Sequence, residues 1–184
     1  MKKSLIAAVV LASASFASTA AMAATVGNTP QVLDLTDGSG FFGDTFAMNN
    51  NGNTFADRFT FTVGDTGAGS SLDAIISSVS HSADTGLDIT GVSLYNATGD
   101  MLVSSGHSLQ SGSIDVWTVS TNNLAAGNYY LQVSGNLVSD QAASFGGAVA
   151  MAAPVPEPET YGMMLAGLGV LGFLARRRKS ANQA

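Results

Sequence analysis

Cysteine is absent from the 184 residues. That excludes a disulfide framework, cysteine zinc ligation, thiol catalysis and the acylated cysteine of a lipoprotein. Basic residues are confined to the extremes: Lys2 and Lys3 at one end, Arg176, Arg177, Arg178 and Lys179 at the other, with Arg58 alone between them. Glutamate is missing from the middle as well. Residues 24–156 hold eleven aspartates and one arginine, a net charge of −10. Such a surface repels phosphate backbones, so nucleic acid is not an expected partner. Imidazole is scarce too, with only His81 and His107. Neither lies in H-E-x-x-H, and no serine lies in G-x-S-x-G. The length suits one ordinary globular domain, and no catalytic residues are assigned.

What is present at the two ends reads as addressing. Lys2-Lys3, an unbroken apolar run from Leu5 to Leu11, and Ala21-Met22-Ala23 have the order of a secretory signal peptide. Residues 1–23 are therefore expected to be removed, with Ala21 and Ala23 as the small cleavage-site residues and Ala24 as the new N-terminus. The Sec translocon and signal peptidase follow as partners. At the other end, Pro154-Val155-Pro156-Glu157-Pro158-Glu159 forms a stiff, extended, acidic stretch, because proline fixes its own φ and restricts the residue before it. Residues 161–175 are then apolar on every side of a helix, interrupted by Gly162, Gly167, Gly169 and Gly172, and Arg176–Lys179 follow as a membrane-stop cluster. Such a stretch reaches about 22 Å against a bilayer core of roughly 30 Å, so snorkelling arginines and local thinning would have to make up the difference. A transmembrane helix is expected here, with the basic cluster on the cytoplasmic side.

Val155, Pro156, Glu157 and Pro158, a short apolar helix and a terminal arginine cluster together resemble the PEP-CTERM sorting signal of Gram-negative bacteria, over residues 154–180. The resemblance implies an inner-membrane intermediate processed by an exosortase, and a destination at the cell surface or in an exopolysaccharide matrix. It implies a route and no activity, since such tails follow many unrelated domains.

Between the ends, residues 24–153 alternate with a period of two, which predicts an all-β fold, an antiparallel β-sandwich. The expected strands are Gln31–Leu35, Phe41–Met48, Phe55–Val63, Leu72–Ser80, Leu87–Tyr95, Met101–Ser108, Ile114–Ser120, Tyr129–Ser134 and Phe145–Met151. Asn-, Asp- and Gly-rich turns separate many of them, as at Asn49–Asn53, Thr98-Gly99-Asp100 and Ala126-Gly127-Asn128. Ala74, Ile75 and Ile76 could equally open a helical turn. No internal repeat is evident. Thr90–Asp100 and Leu124–Val133 resemble bacterial pre-peptidase C-terminal domains, small jelly-roll-like sandwiches attached to secreted enzymes, and the resemblance implies a jelly-roll-like sandwich here. Phe55, Asp57 and Phe59, in Phe55-Ala56-Asp57-Arg58-Phe59, resemble the FxDxF motif that names a subset of PEP-CTERM proteins.

Alternation on the Phe55 strand puts Phe55, Asp57, Phe59, Phe61 and Val63 on one face and Arg58 on the other. Asp57 is therefore expected among phenylalanines, buried and accepting N–H or hydroxyl donors, unless the strand begins only at Phe59. No cofactor is expected and no metal ligands are assigned. Calcium is the one candidate ion, through loop spacings such as Asp34 with Asp37 and Asp84 with Asp88, although turns select aspartate without any metal. Trp117, Tyr95, Tyr129 and Tyr130 are candidates for a sugar-stacking platform. If Ile114 and Val116 face inward, Trp117 and Asp115 face solvent together. The alternative packs Trp117 in a second apolar layer. The reading is a secreted, non-enzymatic structural or adhesive protein associated with exopolysaccharide. A carbohydrate- or calcium-binding module is the alternative, and a small hydrolase the least favoured.

Overall fold

Strands whose residues alternate between apolar and polar must pair face to face to hide one side each, and this chain does so in two layers. The computed structural model describes residues 23–65, 69–79, 84–153 and 158–181. The N-terminal segment including Ala21, the residues Ser80 and His81, and the stretch Pro154-Val155-Pro156-Glu157 lie outside the described residues. In chain order the strands are β1 (Gln31–Val32), β2 (Ser39–Phe46), β3 (Thr54–Val63), β4 (Ser70–Val79), β5 (Leu87–Asn96), β6 (Met101–Ser105), β7 (His107–Gln110), β8 (Ile114–Leu124), β9 (Gly127–Leu137) and β10 (Ala143–Ala152), followed by helix α1 (Pro158–Ala181). One five-stranded sheet has the order β1-β3-β9-β5-β6, the other β2-β10-β4-β8-β7. All pairings are antiparallel except β1 with β3.

The core is the slab between the sheets. Phe55, Phe59, Phe61 and Val63 enter it from β3, and Leu72, Ala74 and Ile76 from β4, which is a strand over its whole described length. On β5 the inward set shifts from Leu87 and Ile89 to Val92 and Leu94, because a bulge at Thr90-Gly91 inserts one extra residue. Two phenylalanines lie across glycines on the neighbouring strand. Phe55 is the direct partner of Gly135, and Phe42 of Gly147. A Cβ on Gly135 would sit 2.5 Å from the Phe55 ring, and one on Gly147 would sit 2.6 Å from the Phe42 ring.

Two sequence expectations change. The single strand expected over Met101–Ser108 is two strands in different sheets, joined at Gly106. There the chain crosses from one layer to the other, donating the Gly106 N–H to the Val92 carbonyl at 2.7 Å. A side chain would meet the Thr118 and Val92 carbonyl oxygens at 2.7 and 2.9 Å, so only glycine fits the crossing. The tail helix forms, yet among the described residues no helix is long and apolar enough to cross a membrane. The expected transmembrane span is corrected accordingly. The apolar stretch ends against Glu159 on one side and Arg176–Lys179 on the other, and its four glycines dilute it. Proline at the first helical position, with an acidic residue next and basic residues in the closing turns, suits helix polarity and extends α1 beyond the apolar run. Its residues from Tyr161 to Phe173 are exposed.

Gly135→Ala and Gly147→Ala should each lower unfolding stability by about 1–3 kcal/mol, since a methyl group must displace a core phenylalanine or backbone. Gly91→Ala, where nothing lies within 4 Å of the added carbon, should stay within about 0.5 kcal/mol. Chemical denaturation of the three variants against the parent checks the contrast.

Candidate functional site

Buried charge marks the chemistry of this domain more clearly than any surface cleft. Asp57 on β3 is 1% exposed and points into the core between Phe55 and Phe59. Across the slab, β2 carries Phe42-Gly43-Asp44-Thr45-Phe46, the same Phe-x-Asp-x-Phe spacing as Phe55–Phe59. That second copy was legible in the sequence as a repeated spacing and was missed there. The two segments face each other in opposite directions, with the Phe42 and Phe59 rings 4.7 Å apart and the Phe46 and Phe55 rings also 4.7 Å apart. Asp44, itself 7% exposed, therefore meets Asp57 between two pairs of aromatic rings. Phe145 closes the cluster, stacking on Phe55 at 5.5 Å and meeting Phe59 edge-on at 6.1 Å.

The N-terminal strap covers this pair. It runs parallel to β3, bridging Thr25 to Thr54 and pairing Gln31 with Phe59. Between those points the strap has six residue steps (25 to 31) against five on β3 (54 to 59), so it must bulge, and the bulge falls over Asp57. Asn28 sits in it and touches both carboxyls: its backbone N–H donates to Asp57 Oδ1 at 2.9 Å, and its side-chain amide donates to Asp44 Oδ1. The Thr45 N–H also donates to Asp44 Oδ1, at 2.6 Å. A Cβ on Gly27 would come within 2.5 Å of Asp57 Oδ1, so glycine lets the strap lie on the carboxyl. Asp44 Oδ2 and Asp57 Oδ2 are buried without a protein donor. Burial first, then the facing Asp44 carboxyl, pushes the Asp57 carboxyl up to about 7, against the downward pull of the Asn28 N–H.

A third buried carboxyl, Asp115 on β8, is satisfied differently. It accepts the Ile89 N–H at 2.9 Å, the Ser78 hydroxyl at 3.2 Å and the Gly112 N–H at 3.3 Å, tying β4, β5 and the turn before β8 to one side chain. Asp115 and Val119 are buried, and Trp117 between them packs against the core while Ile114 is exposed. Outward projection of Trp117 beside Asp115 is thus corrected: the parity of β8 is the opposite, and the apolar slab takes the indole. Tyr129 also faces inward, stacked 6.0 Å from Phe61, with its hydroxyl on the Ala125 carbonyl. Tyr95 and Tyr130 stack at 5.0 Å on the outer face of their sheet, with the Arg58 guanidinium 4.6 Å from the Tyr130 ring and the Tyr130 hydroxyl donating to Asp100. The four aromatics form no common platform.

The calcium spacings do not assemble either. Among the described residues no three His, Asp or Glu side chains group as metal ligands. The Asp34 carboxylate accepts both the hydroxyl and the backbone N–H of Thr36, which hold its pKa down. Burial, then the charges of Asp115 and Asp84, raise that of Asp88. His107 is exposed on β7.

Residues 154–179 match the PEP-CTERM protein-sorting motif. No curated protein matches the chain. Among solved structures, the pre-peptidase C-terminal domain of a collagenase from Bacillus anthracis is similar at 16% identity, covering 67% of this chain and 97% of that one, with a TM-score of 0.39.

Alanine at Asp115 leaves a buried strand N–H and a serine hydroxyl without their acceptor, and should cost about 1–3 kcal/mol. Alanine at Asp57 strands the Asn28 N–H and, measured at pH 5, should cost a similar amount. Alanine at exposed Asp73 should change stability by less than about 0.5 kcal/mol. Thermal unfolding of all three checks the ranking.

Proposed function

We propose that this chain is the precursor of an exported, non-enzymatic β-sandwich protein that an exosortase delivers to the surface or extracellular matrix of a Gram-negative bacterium. The sorting motif over residues 154–179 carries this reading. In it, residues 1–23 direct Sec export and are removed by signal peptidase, leaving Ala24 first. The exposed apolar side chains of α1 from Tyr161 to Phe173 then hold the chain at the inner membrane. The basic run Arg176–Lys179 adds attraction to anionic lipid headgroups, and Val155-Pro156-Glu157-Pro158 is the stretch on which the exosortase acts.

The mature domain serves as a structural or adhesive component among exopolysaccharide. Its charge of −10 favours a hydrated, dispersed state in such a matrix. A non-catalytic role agrees with how its polar chemistry is used: Asp115 holds strands together, Asp44 and Asp57 hold the strap, and Arg58 lies against Tyr130 and Gln132.

Replacing Pro156, Glu157 and Pro158 with alanine should leave full-length protein in the inner membrane. Removing residues 154–184 should yield periplasmic protein whose release no longer depends on an exosortase. Immunoblots of fractionated cells with and without exosortase read both outcomes. Mature, tail-free protein at normal levels in exosortase-deficient cells would refute the sorting route.

A further inference from the structure

We propose that Asp44 and Asp57 share a single proton, and that this proton fastens the two sheets and the Ala24–Asn28 strap together, so that the domain tightens in acid and loosens as pH rises toward neutrality. The geometry requires an extra donor. Each carboxyl has one oxygen served by Asn28, and each Oδ2 is buried without a protein donor. The two side chains meet at Asn28 and face each other between the two ring pairs, where carboxyl against carboxyl is attractive only when one of them carries the hydrogen. Two ionised carboxylates there would face each other in a dry layer of phenylalanines, where like charges repel strongly.

Among the described residues nothing else nearby takes the charge. Around the pair β2 contributes Phe42 and Phe46, β3 Phe55 and Phe59, and the strap uncharged Asn28. Val133 of β9 is the direct partner of Asp57, and Phe145 of β10 that of Asp44. Arg58 is on the opposite face of β3, engaged with Gln132 and Tyr130, and Asp115 is held by its own three donors. Among the described residues no side chain brings a positive charge to the pair, and the proton supplies it.

The sign follows from the raised Asp57 carboxyl, about 7 in the folded chain against 3.8 as the ordinary value. The folded state keeps a proton that the unfolded state has released across this window, so the pair's contribution to stability is full below about pH 4, falls up to about pH 7, and is flat beyond. The unfolding equilibrium constant should rise about tenfold per pH unit, about a thousandfold in all.

The test uses full-length protein in detergent micelles, unfolded by denaturant from pH 4 to 8. Asp57→Asn and Asp44→Asn each place a permanent amide donor against the remaining carboxylate. Both variants should lose the slope relative to the parent. Infrared spectra of the folded parent at pH 6 should contain a protonated carboxyl band that either substitution removes, a readout that stands even if a variant fails to fold. Protection of the Asn28 amide against hydrogen exchange, corrected for intrinsic rate, should fall as the band disappears. Absence of the band, or identical pH profiles for parent and variants, would overturn the proposal. So would calcium that stabilises the parent at pH 8 and not the variants, because the pair would then hold a cation in place of the proton.

Discussion

Taking a carboxyl group out of water is costly unless donors replace the lost hydration, and this sandwich does so at two residues that face each other, Asp44 and Asp57. Much of the surrounding structure answers that constraint. Aromatic pairs at 4.7 Å flank the carboxyls on both sides and keep water out. The strap bulges where it passes over them, glycine at position 27 lets it come close, and Asn28 supplies a donor to each. Without the strap these oxygens would lose the donors Asn28 gives them. The N-terminal residues are thus part of the sandwich's internal polar satisfaction, beyond their pairing along the edge of β3.

The layered fold was legible because alternation is local information. Phe55–Val63 reads correctly since every second residue apart from Asp57 is large and apolar, and the resulting burial of Asp57 follows from parity alone. Parity fails where the apolar signal is weak on both faces. On β8, Ile114, Val116, Trp117 and Val119 offer apolar groups to either side, so the direction of Trp117 depends on its pairing with Ile76 of β4, which no local pattern records. The Met101–Ser108 segment reads as one strand for a similar reason. Its division at Gly106 is set by two carbonyls, of Val92 and Thr118, that approach from other strands.

The Phe-x-Asp-x-Phe spacing illustrates how meaning can wait on topology. Each copy places its first phenylalanine over a glycine that is its direct partner on the neighbouring strand, Gly147 for Phe42 and Gly135 for Phe55. Each then buries an aspartate and a second phenylalanine. The copies lie on β2 and β3, which follow one another in the chain but belong to different sheets, so they meet face to face across the core. A single copy would place one lone carboxyl under an apolar layer. Two opposed copies bring the carboxyls together and let each motif's rings screen the other's acid.

The two kinds of buried aspartate separate structural satisfaction from chemical response. Asp115 receives an N–H from Ile89, a hydroxyl from Ser78 and an N–H from Gly112, so its oxygens are matched by donors from three parts of the scaffold. Asp57 receives one fixed donor, Asn28, while its second oxygen is turned toward another acid. Donors favour the ionised form, whereas burial and a facing carboxyl favour the protonated one, and at Asp57 the latter prevail. The same residue type, equally hidden in the same slab, is therefore served on both oxygens by donors at β8 and turned toward another acid at β3. Partner chemistry decides between them, and burial alone does not.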